Sequence, residues 1–593
     1  MTAIPRRGRG KASRMLPGLK ALGRVVLIGG AVAVAPSGAF ATQQNPVIGK
    51  AADAEEAADA KAFGDYLSGR FAIVNRDTEA AADYYIRAVA GDPNNTELVH
   101  QAFTIAIAGG RHDDAVRMAQ RLADLKEKPT GLTDLVLLAD DLKRDKLAEA
   151  RTRIDGMARN GIVELMAPVI SAWIDAAEGK TDDALADLDQ LAANKGFVIF
   201  MKTHRAYILD FAGRVEEATA AYDEAIALQK GADLRLVLAY GRFLERHGKA
   251  DQAKAVHAAY LHSYPSNVLI EAAQQGVRDD GALYPVIKTA ADGAAEAFFS
   301  TGRALAQERS RGSAVMYLQL ALALKPHFPV ANLLLGDVFD RDGQYDEALA
   351  AYQAVMDDPV LGWDARFEAA LLYNQMDKPE KSIEALQGML AERPENLNVL
   401  TSLADTLRSE ERFPEARAAY DKVMAKIGTP AERHWALFYA RGITFERMDM
   451  WKEAEADFRK ALQLSPDQPL VLNYLGYSLI EQGVKLDEAL VMIQKAVEQR
   501  PDDGYIVDSL GWALYRLGRY TEAVEWLEKA AALIPEDPTI NDHLGDAYWQ
   551  AGRRLDATFQ WRHAAAMKPE AEELVKIEAK IKSGLDTEER SEK

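Results

Sequence analysis

Few stretches of this chain combine residue types and spacing that could do chemistry, and each fails on a named residue. Gly179-Lys180-Thr181 ends like a phosphate loop, whose backbone N–H groups cradle phosphates while the lysine and hydroxyl reach the terminal phosphate and its metal. That loop needs a glycine five residues before Gly179, and Ile174 stands there. The triplet therefore reads as a turn between helices. His257 and His262 are five apart, a spacing that does not align two ligands on one helix face as a metal pair needs. No Gly-x-Ser-x-Gly elbow occurs, so the strained strand-to-helix nucleophile of a hydrolase has no candidate. The chain has no cysteine, which excludes disulfides, thiolate metal sites, a cysteine nucleophile and a lipid-modified N-terminal cysteine. The 90 Asp and Glu residues are spread throughout the chain from Asp53 onward, so pairs of acids carry no information. Asn94-Asn95-Thr96 matches a glycosylation sequon but falls in a predicted turn. No catalytic, cofactor-binding or metal-binding residue is assigned, and the chain is expected to be neither an enzyme nor a cofactor protein.

What the sequence does contain is a period. Gly511, Ala523, Leu527, Ala530 and Pro535 reappear 34 residues later as Gly545, Ala557, Trp561, Ala564 and Pro569. In the other direction Gly476 and Gly442 fall on the glycine, Ala489 and Ala454 on the first alanine, and Pro501 and Pro466 on the proline. One extra residue sits in the repeat that starts near 469. Leu510, Gly511 and Leu514 share one helix face, and Ala523, Leu527 and Ala530 share another. Gly518 lies between them where a tight turn favours a residue without a Cβ. Glycine inside a helix costs ~1 kcal/mol against alanine, yet it recurs at the same place in Gly69, Gly241, Gly302, Gly336, Gly442, Gly476, Gly511 and Gly545. A second helix is expected to cross there too closely for a side chain. A fixed 34-residue period with these residue types resembles the tetratricopeptide repeat, TPR. The resemblance implies an all-α fold, an α-solenoid superhelix of stacked helix-turn-helix units.

The rest of the chain is read in that register. Residues 1–41 carry Arg6, Arg7, Arg9, Lys11, Arg14, Lys20 and Arg24 and no acid, then the apolar run Val25 to Ala35 and the small-x-small site Ala39-Phe40-Ala41. This is the pattern of a secretory signal cleaved after Ala41. The run is too short to span ~30 Å of bilayer core, so the mature chain is expected to have no transmembrane span. Losing those basic residues takes the net charge from −19 down to −26, which disfavours nucleic acid as a partner. Residues 42–61 read as an acidic lead-in. Residues 62–265 read as an N-terminal array, degenerate over 96–233, where Ala115 with Leu122, Ala148 with Ile154, Ala184 with Leu188, and Ala218 with Tyr222 and Ala225 keep the second-helix pattern. Residues 266–294 read as an atypical helical connector, 295–569 as the C-terminal array, and 570–593 as a capping helix and charged tail. No stretch of ~100 residues is left for a catalytic domain.

In the TPR family the first helix of each repeat lines the concave side, with inward side chains flanking the glycine. On this chain the resemblance assigns Tyr439, Ile443 and Glu446; Asn473, Tyr477 and Ile480; Tyr505, Asp508, Trp512 and Tyr515; and Asp542, Asp546 and Trp549. That is an aromatic groove with acids beside it, and aromatic rings offer contact area at low entropic cost. Each aromatic could instead pack between repeats; Trp512 and Trp549 are the stronger groove candidates because Gly511 and Gly545 already fill the packing positions. Family members that grip a C-terminal carboxylate need basic residues in the groove. Here Asp508, Asp542 and Asp546 occupy it, so apolar or basic segments are expected instead. The signal, the long array and the closing Asp508–Gly518 block resemble proteobacterial outer-membrane TPR lipoproteins, some of which are adaptors for periplasmic carboxy-terminal processing proteases. The resemblance implies a periplasmic protein, peripheral to the outer membrane, that brings substrates to a protease. A scaffold for outer-membrane assembly or polysaccharide export is the alternative. The missing lipidation cysteine sets this chain apart from those lipoproteins.

Overall fold

The structure is a computed structural model, and it describes residues 49–193, 195–228, 233–264, 267–276, 286–308 and 310–585. The signal segment 1–41, its cleavage point, the start of the lead-in and the charged tail from 586 lie outside the described residues. Among the described residues there are thirty α-helices, two short 3-10 turns and no strand. The fold is an all-α solenoid of helix pairs, and no described helix is long and apolar enough to cross a membrane.

Local sequence explains the pairing. Gly179 and Gly518 have φ of +78° and +75°, the left-handed region that reverses the chain between two helices. Behind Gly179, the Lys180 N–H donates to the Asp175 carbonyl at 2.8 Å, so the Gly-Lys-Thr triplet is a helix-to-helix turn. The next first helix then starts on a capping side chain. Asn95 Oδ1 accepts from the Leu98 N–H at 3.1 Å, and Asp537 Oδ1 accepts from both Thr539 and Ile540 N–H at 2.9 Å.

The recurring helical glycines sit where the two helices of a pair cross. A Cβ on Gly511 would lie 2.5 Å from Leu527 Cγ and 3.2 Å from the Leu527 backbone nitrogen. In the same way Gly69 faces Tyr85, Gly302 faces Leu318, Gly336 faces Tyr352, Gly442 faces Phe458 and Gly545 faces Trp561. Overpacking a core costs about 1–3 kcal/mol, so Gly511→Leu should lower stability by about that amount. A melting curve matching wild type would show that the crossing tolerates a side chain after all.

In the degenerate stretch the pairs persist: Thr96–Ala108 with His112–Asp124, Gly131–Lys143 with Leu147–Gly156, Ile162–Ala177 with Thr181–Asp189, and Val198–Phe211 with Val215–Leu228. Ala115, Ala184 and Ala218 are buried as expected. Ala148 is not; it is exposed, and Ala150 packs in its place. The reason is where the helix begins. Each of these second helices turns its fourth residue inward, and the one starting at Leu147 reaches that position at Ala150.

By its contacts the chain divides into two compact units between Asp377 and Lys378, whereas the sequence reading put its connector at 266–294. That segment holds the short helix Val268–Gln274, and its end already belongs to the long helix Ala290–Gln307, which opens on a Thr289–Asp292 capping box.

This long helix decides the character of the first unit. Ala290, Gly293, Ala294, Ala295, Ala297 and Phe298 are buried, because the helix lies against first helices of earlier pairs. Its Gly293 backbone abuts the fully buried Trp173 ring, and Thr301 Oγ1 donates to Met166 Sδ at 3.2 Å. Trp173 Nε1 in turn donates to His204 Nδ1 at 3.1 Å; burial pushes the His204 pKa down to about 4, which keeps that ring a neutral acceptor. Glu296, 2 % exposed, receives both arms of Arg235 and has Lys325 Nζ at 3.7 Å. Further along, Gln319 Nε2 donates to the Ala108 carbonyl at 3.4 Å, and Gln344 Nε2 to Thr78 Oγ1 at 3.0 Å. The face that first helices present to a groove is thus occupied in this unit by the chain's own later helices.

Candidate functional site: an aromatic face on the second unit

The second unit carries the predicted groove residues on Trp435–Glu446, Pro469–Glu481, Gly504–Arg516 and Pro538–Gln550, the first helices of successive pairs. Helical spacing places them in register. Ala, Gly and Leu positions turn to the second helix, and the residues beside the glycine turn the other way.

Trp512 is the centre of the arrangement. It stacks on Tyr515 at 4.7 Å and 12° and on His543 at 4.0 Å and 15°. Its Nε1 donates to Glu481 Oε1 at 2.6 Å, and the same carboxylate accepts from Arg516 at 2.9 Å. The indole is half-buried and stacked against both the Tyr515 and the His543 rings. Tyr477 and Tyr505 are half-buried on neighbouring helices; burial, with Glu481 and Asp508 adding, raises the Tyr477 hydroxyl well above its ordinary pKa. Tyr439 meets Tyr474 edge-on at 5.8 Å, and burial pushes its pKa to about 12, with Arg408 opposing. Asn473 Oδ1 is buried and has no hydrogen-bond partner among the described residues.

The acids are engaged from within the chain: Asp508 by a histidine, and Asp542 and Asp546 by one shared lysine. Asp508, 3 % exposed, receives His543 Nδ1 at 3.1 Å from both carboxylate oxygens. Burial disfavours a charge on His543, but Asp508, by charge and hydrogen bond, helped by Asp542 and Asp546, raises its pKa overall. Lys580 Nζ, from the closing helix Ala571–Ser583, bonds Asp542 and Asp546 at 2.8 Å each. Asp546 also accepts from Trp561 Nε1 at 2.9 Å; burial lifts its pKa to about 6 despite Lys580. Trp549 is covered too. It lies 5.4 Å from Trp561, the Arg554 guanidinium sits 5.1 Å over its ring, and the Gly584 backbone abuts it.

Of the residues singled out from sequence, then, Tyr439, Asn473, Tyr477, Tyr505, Trp512 and Tyr515 make up the half-buried face. Asp508, Asp542, Asp546 and Trp549 are committed to intrachain contacts, which reduces the negative charge that argued for a basic partner. His543, Glu481, Arg516 and Lys580 were missed. A signal existed for His543: it lies 35 residues from Asp508, one repeat on. Among the described residues no group of three or more His, Asp or Glu could hold a metal.

The His543–Asp508 pair has a testable pH signature. A histidine whose folded pKa is raised contributes stability that is complete below its unfolded value, ~6.5, and is lost as pH rises through the folded pKa. His543→Gln should therefore cost about 1–2 kcal/mol at about pH 5.5 and clearly less at about pH 8.5. Urea titrations at the two pH values check this, and an equal cost at both would mean that the imidazole stays neutral.

With this geometry in hand, comparison with known proteins gives consistent matches. Models of the tetratricopeptide repeat match residues 299–359, 333–396 and 367–432, and a TPR repeat model matches 511–552. A TPR repeat-containing protein of Pseudomonas aeruginosa is 27% identical over 228 residues, which is 38% of this chain and 32% of the relative; the match thus spans about a third of that relative's length. Among solved structures, a tetratricopeptide repeat protein from Parabacteroides merdae aligns with 15% identity over 43% of this chain and 97% of its own, at a TM-score of 0.36. The Cut9–Hcn1 hetero-tetramer of the APC/C aligns with 12% identity over 89% of this chain and 97% of that chain, at a TM-score of 0.38. The repeat matches fall on helix pairs whose glycines and second-helix residues interlock as described, so residues 299–432 and 511–552 are similar to tetratricopeptide repeats in sequence as well as in fold.

Proposed function

We propose that the chain is a non-enzymatic scaffold that takes protein segments on the aromatic face of its second unit. The observation that supports this is the Tyr515–Trp512–His543 stack. Large rings that are part-exposed yet already held in place lose little entropy on binding, which is how hot-spot residues work. The first unit has its own helices where such a partner would lie, so partner binding is assigned to the second. The finer reading is an exported, periplasmic adaptor, peripheral to the outer membrane, that brings substrates to a cell-envelope processing protease. Support for that rests on the signal-like 1–41 segment and the resemblance at Asp508–Gly518.

An affinity capture from a bacterial envelope fraction tests it, with residues 42–593 as bait beside a Trp512→Ala variant of matched melting temperature. Trp549 is left intact because it packs under the closing residues. A processing protease or wall hydrolase kept by wild type and lost by the variant supports both the adaptor and the face. The same partners on both baits would remove the face from the account. Export or outer-membrane assembly components in their place would favour the alternative scaffold.

A further inference from the structure

The helix Gly49–Val74 carries apolar residues on two opposite faces. Ala62, Gly69 and Ala72 are buried and turn toward the helix Thr78–Gly91, where Gly69 meets the Tyr85 ring. Phe63, Leu67, Phe71 and Val74 share the other side, by helical spacing. They are 62, 48, 71 and 80 % exposed.

The repeat register identifies this second face. Leu67 and Phe71 stand two residues before and two after the helical glycine Gly69. In later pairs the same positions are Tyr474 and Ser478, Ser509 and Ala513, and His543 and Ala547, all of them buried, on first helices that pack against the pair before them. The outer side of Gly49–Val74 is therefore a stacking face. Among the described residues no pair precedes it, and Phe71 stands where the later pairs carry Ser or Ala. The end of a repeat array needs a polar outer face to stay soluble, and a contiguous exposed apolar stripe marks an interaction surface.

We propose that this stripe is covered by the same stripe of a second copy of the chain, the two helices crossing antiparallel at Leu67. The side chains are self-complementary in that arrangement, as a two-fold contact requires. Phe63 meets the partner's Phe71 and the reverse, and Ala60 leaves room for the partner's Val74. A parallel crossing would set Val74 on Val74 and leave Ala60 facing Ala60. Large apolar side chains carry about 150–250 Å² each, so the four expose roughly 500 Å² per copy. The pair then buries about 1,000 Å², the lower bound of a specific interface, which makes the dimer reversible and dependent on concentration. Charge disfavours a lipid surface as the occupant. Over 49–74 the acids Asp53, Glu55, Glu56, Asp59 and Asp65 outnumber Lys50, Lys61 and Arg70, whereas helices that lie in a membrane interface have a basic polar face.

Analytical sedimentation of the intact chain tests this. Wild type should pass from monomer to dimer as its concentration rises through the micromolar range. Phe71→Glu, at an exposed position, should raise the dissociation constant about tenfold or more without altering the melting temperature. Leu67→Cys, in a chain that has no cysteine, should cross-link between copies on oxidation several times faster than Leu555→Cys, a more exposed position in the second unit. A wild-type dimer that Phe71→Glu leaves intact overturns the proposal, as does cross-linking at Leu67 no faster than at Leu555. So does a wild type that stays monomeric. In that case a lowered melting temperature for Phe71→Glu assigns the stripe to the residues before this helix. Flotation of wild type, but not the variant, with phosphatidylglycerol–phosphatidylethanolamine vesicles assigns it to a membrane.

Discussion

Glu296→Ala should destabilise the first unit by about 3–5 kcal/mol, the usual cost of breaking a buried ion pair by removing one partner. Arg235 loses both of its hydrogen bonds to Glu296 and Lys325 its nearby carboxylate. The charges explain why the pair exists as a pair. Burial works against Glu296, but Arg235 and then Lys325 outweigh it and hold its pKa below the ordinary value. A second variant separates lost attraction from orphaned charge. If Arg235 is replaced by Met and Glu296 by Leu together, most of the loss should return, because apolar replacement of a buried pair is often neutral. Urea unfolding of the intact chain, with hydrogen exchange read at Ala290–Gln307 and Ile162–Ala177, checks both. A single variant within ~0.5 kcal/mol of wild type would mean that water reaches the pair.

Trp561→Ala should be as severe in the second unit, at about 3–5 kcal/mol. The ring is fully buried, fills the place left by Gly545, and donates to Asp546. Its removal leaves a cavity and strips the buried carboxylate of a donor. Because Asp546 already has its pKa at about 6, the loss should be larger at pH above about 7, where the carboxylate is charged, than at about pH 5. Thermal melts of the variant across that interval read the difference; a pH-independent loss would assign the whole effect to packing.

The parts legible in the sequence were those with local signatures. The glycine and the residue about half a repeat later were visible because one steric event recurs at Gly442, Gly511 and Gly545. Even in the degenerate stretch the inward alanine survived at Ala115, Ala184 and Ala218. It failed at Ala148, where apolar character alone could not say which alanine the helix turns inward. The filling of the first unit's inner face was invisible. Ala294, Ala295 and Ala297 suit any helix, and nothing local announces that Gly293 beside them meets a tryptophan far away in the chain. On the aromatic face, the ring positions followed from the repeat register. The charge state did not, since Asp508 and Asp542 look free until His543 and Lys580, one repeat on, are seen to reach them.

The two units differ in when they can be completed. In the second, each pair buries its face against its neighbour, so contacts close over roughly one repeat and order can spread stepwise. In the first, Thr301 meets Met166 across 135 residues, Gln319 meets Ala108 across 211, and Gln344 meets Thr78 across 266. Contacts of such separation form late and slow a fold. A chain made or threaded from its N-terminus must keep the surface around Trp173 uncovered until the Ala290–Gln307 helix has emerged. For that interval the first unit exposes an apolar groove, the condition in which incomplete chains aggregate, and the groove closes only when the later helix docks.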